Sequence, residues 1–424
     1  MIVKKTASKI IHKYPIGYSS DVCFENTLLF DRLQNLMYNA ACRFIHSRRL
    51  AMDYLGKNVA KLGFGLMRLP SNDGVVDINQ TIEMTDLFLD SGFTYFDTAH
   101  VYGDGKSEEA LKTALVDRHP REKYLLATKV APWEGPMSAD EAKAIFFTQL
   151  ERIGVQYLDY YLLHNLGQTR TKYFYDYGMF DYLLELKQKG LIRHIGFSMH
   201  DRANTLDDIL TKHPEMEFVQ LQLNYADWEC GSTESRKCYE TARKHNKPIV
   251  VMEPVKGGML ADMLVPDVKT VFDEARTGAS YASWAIRFAA SLDGIITVLS
   301  GMSTIEQMRD NVSYMKDFKK LSAAEYAVIE KARAVFASIP SIPCTGCEYC
   351  ASCCPKKILI SKILELMNRE LVFGNAKGAK GAYSWWTQFT GKGSDCIKCG
   401  KCEESCPQRI NIMDRLEEAA TKYE

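Results

Sequence analysis

Asp97, Tyr102, Lys129, His164 and Ser198 each close, or closely follow, a short apolar run. A phenol, an ammonium, a carboxylate and an imidazole brought to one place can move a proton and stabilise the charge left behind. If the apolar runs are parallel strands of one sheet, their polar ends gather at one rim. A second group lies near the C-terminus, where nine of the thirteen cysteines fall between Cys344 and Cys406. Cys344, Cys347, Cys350 and Cys354 form a C-x2-C-x2-C-x3-C run followed by Pro355. Cys396, Cys399, Cys402 and Cys406 repeat that spacing and are followed by Pro407. In a chain this large, with no sign of secretion, such density reads as metal binding before disulfides. Tetrahedral zinc would suit the C-x2-C pairs but leaves the third cysteine of each run, and the closing Cys-Pro, without a role. Cys353 is extra, and Cys23, Cys42, Cys230 and Cys238 are scattered.

The elements that would position the first group alternate. Strand-like runs are expected at 61–67, 95–98, 125–129, 158–164, 192–198, 218–224, 248–252 and 295–300. Helical patterns follow at 79–90, 107–115, 139–153, 180–189, 205–210, 235–245, 279–291 and 304–314. Near-continuous apolar strands separated by helices imply a parallel sheet covered by helices. Eight such units in about 250 residues fit a (β/α)8 TIM barrel, whose functional groups sit at the C-terminal strand ends. An open doubly wound sheet is the rival, but the glycine-rich dinucleotide turn it would favour is absent. The expected class is therefore α/β.

Four segments follow. Residues 1–51 are an N-terminal extension with two preferred readings, a poorly ordered extension and sequence upstream of a start at Met52; a docking helix is a third. Residues 52–318 are the barrel, 319–343 a helix and a linker with Pro340 and Pro343, and 344–424 the cysteine module. The module is expected to carry a helix near 359–369 and a glycine-rich loop from Gly374 to Gly393, anchored by Trp385 and Trp386.

Lys+Arg and Asp+Glu both number 53, so no basic face points to nucleic acid. No apolar run reaches the roughly 20 residues of a membrane span. Lys4 and Lys5 are not followed by a sustained apolar segment, so no signal peptide is expected and the expected location is cytoplasmic.

Phe96-Asp97-Thr98-Ala99-x-x-Tyr102-Gly103, Ala127-Thr128-Lys129-Val130 and Leu162-Leu163-His164 together resemble the aldo/keto reductases, and the likeness spans roughly residues 54–311. The resemblance implies an enzyme that interconverts a carbonyl and an alcohol with NADPH or NADH. Asp97, Tyr102, Lys129 and His164 would form its tetrad. Tyr102 would give the proton in reduction and take it in oxidation. Lys129 would pull the phenol down from its usual pKa of about 10. Asp97 would hold Lys129, and His164 would orient the carbonyl.

The resemblance further places the nicotinamide amide at Ser198 and Gln222, although Met199 and Met252 depart from the family's usual Asn and Tyr. It places the adenosine end at Gly301, Ser303, Gln307 and Asn311. The Lys and Arg that the family's NADPH-preferring members place near Gly301 and Gln307 for the 2′-phosphate are not present at those positions, so NADH is as plausible as NADPH.

The cysteine runs resemble bacterial two-cluster ferredoxins, in which the fourth Cys of each run serves the other cluster. Two [4Fe-4S] clusters would then be held by Cys344, Cys347, Cys350 and Cys406, and by Cys396, Cys399, Cys402 and Cys354. The helix between the runs points to a small, mainly helical ferredoxin-like domain. The expected partners are a small carbonyl or alcohol substrate and an electron-transfer protein. The alternative is a nucleotide-binding redox sensor or adaptor with little carbonyl turnover.

Overall fold

The computed structural model describes residue 55 and residues 58–424, apart from 73, 134–136, 168–169, 231–232, 262–264, 276–277, 339, 374–375 and 389. The readings of residues 1–51, and of a start at Met52, lie outside the described residues. Val59–Glu424 forms one compact unit.

Eight parallel strands close into a barrel: β1 Leu62–Gly65, β2 Tyr95–Asp97, β3 Leu125–Val130, β4 Leu158–Leu166, β5 Ile192–Met199, β6 Phe218–Gln222, β7 Ile249–Met252 and β8 Ile295–Ser300. β1 pairs with both β2 and β8, which closes the ring. These strands are apolar and almost wholly buried because helices cover one face and side chains fill the other. Each expected helix forms close to its expected bounds, and Ala139–Ile153 forms over the expected residues. That helix opens with a capping box between Ser138 and Glu141 and stops at Gly154 in the left-handed region.

The structure adds elements that the pattern did not suggest. A short hairpin pairs Ser71–Asn72 with Val75–Val76, and extra helices form at Thr171–Asp176 and Pro266–Glu274. The loop expected from 374 to 393 is instead largely a helix, Ala376–Trp386. Ala379 and Tyr383 are buried on its inner face, and the Tyr383 hydroxyl accepts from Gly393 N at 2.7 Å and donates to Glu424 at 2.7 Å. This packing outweighs the cost of two glycines in the helix, roughly 1 kcal/mol each. Trp385 and Trp386 are exposed, so Tyr383 is the anchor they were expected to be.

The cysteine module is helical, with Ile360–Phe373, Ala376–Trp386 and Ile412–Tyr423 around a small core that includes Ile363, Leu364, Tyr383 and Leu416.

Candidate active site and cysteine clusters

β2 delivers Asp97 and β3 delivers Lys129 to adjacent positions on the rim. Lys129 Nζ lies 2.5 Å from Asp97 Oδ1, donates to Thr98 O at 2.7 Å and reaches the Tyr102 hydroxyl at 3.3 Å. Behind β3, buried Glu108 accepts from Thr128 and Gln149, each at 2.7 Å, and pairs with Arg152 at 2.8 Å. Gln149 also donates to Lys129 O at 3.2 Å. The Lys129 backbone is thereby fixed from outside the barrel.

Tyr102 reaches back over the rim because the chain reverses at once. Gly103 and Gly105 both have positive φ. A Cβ on Gly105 would lie 2.5 Å from Arg152 Nη1. Thr98 and Ser107 share a hydroxyl contact at 2.7 Å, and Ser107 donates to Leu66 O at 2.9 Å. His164, near the end of β4, sits edge-to-face with Tyr102 at 5.8 Å between ring centroids. The tetrad groups therefore come together.

Burial raises the Asp97 carboxyl and lowers the Lys129 ammonium, each opposed by the charge of the other. Burial drives the His164 imidazole well below its ordinary range, and Lys129 adds to this, so the ring is neutral. Tyr102 differs from expectation. Burial and the Asp97 charge hold its phenol well above the ordinary range, opposed by the Arg68 guanidinium. The Lys129 ammonium is engaged by Asp97 and Thr98 O before it reaches Tyr102. Burial thus leaves the phenol a weaker acid than the resemblance implies.

These groups open into a cavity of about 880 Å³ that runs from Asp97, Tyr102 and His164 out to Asp310 and Asn311. Gly301, Ser303, Gln307 and Asn311 line its far arm. There Gln307 accepts from Ser303 N at 2.8 Å, and Asn311 accepts from Ser300 at 2.7 Å.

Ser198 lies beneath the wall and accepts from Asn165 N at 2.8 Å. Gln222 turns away from the cavity. It donates to Asp227 at 2.8 Å and forms a reciprocal amide pair with Gln408 of the cysteine module, at 2.9 and 3.3 Å. Gln220, two residues earlier on the same face of β6, lines the cavity instead. Its Nε2 donates to Asp97 at 3.2 Å, and its buried Oε1 has no hydrogen-bond partner. Sequence reasoning passed over Gln220; its side chain has the same strand parity as Gln222, which was the available signal.

The module docks on the barrel mouth. Arg68 donates to Thr345 O at 2.9 Å, and Arg409 pairs with Asp201. Gly257, with φ of +64°, lets Thr345 approach so closely that a Cβ there would lie 2.2 Å from Thr345 O. Thr345, Cys347, Tyr349 and Pro407 consequently line the barrel cavity.

Two further cavities are ringed by thiols. Cys344, Cys347, Cys350 and Cys406 line one; Cys353, Cys354, Cys396, Cys399 and Cys402 line the other. Each takes three cysteines from one run and the last cysteine of the other, with Cys353 as a fifth thiol beside the second set, so the donor sets fit two four-thiolate clusters.

Residues 61–334 match the aldo/keto reductase family, and residues 343–413 match the 4Fe-4S dicluster domain. The chain belongs to the aldo/keto reductase family and is an oxidoreductase with a 4Fe-4S dicluster domain C-terminal to its barrel. It is similar to the uncharacterised oxidoreductase YqkF of Bacillus subtilis, with 23% identity over 60% of this chain and 87% of the relative. It is also similar to the methylglyoxal reductase YeaE of Escherichia coli, with 26% identity over 58% and 81%. Among solved structures, the holo form of aldo-keto reductase AKR11C1 from Bacillus halodurans superimposes with a TM-score of 0.54 at 27% identity, over 65% of this chain and 92% of that one. A Klebsiella pneumoniae aldo/keto reductase in complex with NADP and acetate gives 0.52 at 23% identity, over 64% and 91%. No helix among the described residues is long and apolar enough to cross a membrane.

Proposed function

We propose that this oxidoreductase interconverts a small carbonyl compound and its alcohol with NADPH or NADH, and that its two [4Fe-4S] clusters link it to an electron-transfer protein. The observation that carries the reading is the Lys129 ammonium held between Asp97 and Tyr102, with neutral His164 beside them at the cavity mouth. In reduction, His164 orients the substrate oxygen, and the Tyr102 hydroxyl gives that oxygen a proton. The phenolate left behind faces Lys129, whose charge is balanced by Asp97. When bound, the nicotinamide supplies or accepts the hydride, and each cluster supplies or accepts one electron. The long arm toward Asn311 suits an extended dinucleotide, and the unpaired Gln220 Oε1 offers an acceptor for its amide N–H. Cys354, Cys396, Cys399 and Cys402 would hold one cluster and Cys344, Cys347, Cys350 and Cys406 the other. Cys347 lies on the wall common to its cluster cavity and the barrel cavity, so that cluster would sit beside the barrel site.

The test is a screen of aldehydes, ketones and sugars against both nucleotides with the anaerobically purified, iron-loaded chain. Tyr102→Phe is expected to lower kcat by about a hundredfold to ten-thousandfold, with nucleotide affinity retained. Near-parental turnover in that variant would remove the assignment. Mixing with NADPH or NADH alone, while following cluster absorbance, tests the link: bleaching supports it, and brisk carbonyl reduction without bleaching makes the two halves independent.

A further inference from the structure

We propose that the dicluster domain completes the substrate pocket of the barrel, and that Tyr349 is its specificity-determining residue. The inference rests on the carbonyl/alcohol reading above and adds to it the residue that limits which carbonyl enters. Tyr349 lies in the first cysteine run, between Cys347 and Cys350, yet its side chain reaches into the barrel mouth. Its hydroxyl meets His164 Nε2 at 3.3 Å, and its ring stands edge-on to the imidazole at 6.3 Å. Arg170 lies over both the Trp133 ring, at 5.0 Å, and the Tyr349 ring, at 5.8 Å. The phenol is thus clamped from behind.

The contact fixes a chemical detail. His164 Nδ1 is buried without a partner. An unpaired buried N–H is rarer and costlier than an unpaired acceptor. The neutral ring therefore carries its proton on Nε2, and the Tyr349 oxygen accepts it. That oxygen occupies the position from which a carbonyl oxygen would accept the same hydrogen bond. A substrate must displace the hydroxyl and fit under the ring. A short, unbranched chain can do so, whereas a bulky group beside the carbonyl meets the ring and the cysteine run that holds it.

The test uses the full-length, anaerobically prepared protein and a ladder of aldehydes from propanal to 2-naphthaldehyde. Iron and sulfide content and visible absorbance confirm the clusters in every variant. Tyr349→Phe keeps the wall and frees the His164 N–H; it should lower KM for propanal by about threefold to tenfold, the worth of one hydrogen bond, and keep the size preference. Tyr349→Ala should raise kcat/KM for 2-naphthaldehyde relative to propanal at least about tenfold, by opening the wall. Gly257→Ala, which forces Thr345 away without replacing a cysteine, should shift the ratio in the same direction. A parental ratio in Tyr349→Ala or Gly257→Ala with clusters intact, or an unchanged propanal KM in Tyr349→Phe, overturns the proposal. Calorimetric Kd values for the matching alcohols give the same ladder without turnover. A parent chain that reduces no aldehyde but still ranks alcohols by size, with the ranking lost in Tyr349→Ala, would overturn the carbonyl reading and leave the Tyr349 wall standing.

Discussion

Lys129 is almost fully buried, and its ammonium touches a carboxylate, a carbonyl and a phenol. Removing it alone leaves the Asp97 carboxylate buried without its countercharge. Lys129→Met is therefore expected to abolish turnover and to destabilise the barrel by about 3–5 kcal/mol. Asp97→Asn with Lys129→Met removes both charges and should recover most of that loss while staying inactive, as read by thermal unfolding followed by far-UV circular dichroism. A double variant no more stable than the single one would contradict this account. His100 supplies a pH prediction. Burial and the nearby Arg152 guanidinium lower its imidazole from 6.5 to about 4. Between those values the unfolded chain binds a proton that the folded chain refuses, so stability falls as pH drops from about 6.5 toward about 4. The fall in Tm from pH 7 to pH 5 should be smaller in His100→Gln than in the parent.

At the scale of elements, the barrel strands and their helices were legible because period, length and punctuation are local properties. The polar rim was legible for the same reason: strand ends fall where an apolar run stops. Packing decided what lay outside those signals. Glycines at 378 and 381 argued for a loop, yet burial of Ala379 and Tyr383 makes that stretch a helix. Gln220 and Gln222 share one strand face, but Asp227 and the docked module's Gln408 hold Gln222 while Gln220 lines the cavity. Strand spacing gives one more prediction. Gly196 of β5 pairs with Phe218 of β6, and a Cβ on it would lie 2.6 Å from Phe218 O. That carbonyl cannot retreat without loosening the ladder, so Gly196→Ala should cost about 1–3 kcal/mol in chemical denaturation. A parental midpoint would show that the two strands can separate locally.

At the scale of the whole molecule, the two cysteine runs interleave. Cys406 belongs to the second run but lies in the cavity formed by the first. Cys406→Ser and Cys344→Ser should each lower the iron per chain by about half. The double variant should lose little more, because both residues would serve one cluster. Near-complete iron loss in the double variant, with half retained in each single one, would mean that each run holds its own cluster.

The sequence by itself determined the eight-unit barrel, the polar groups on its rim and the eight cysteines in matched runs, because each is written in spacings a few residues long. The tertiary structure alone decided that burial and the Asp97 charge hold the Tyr102 phenol above its ordinary range, that Gln222 faces the module, and that Tyr349 stands against His164, 185 residues earlier in the chain. Those outcomes depend on burial and on which surfaces of distant segments meet, and neither is encoded in a local repeat.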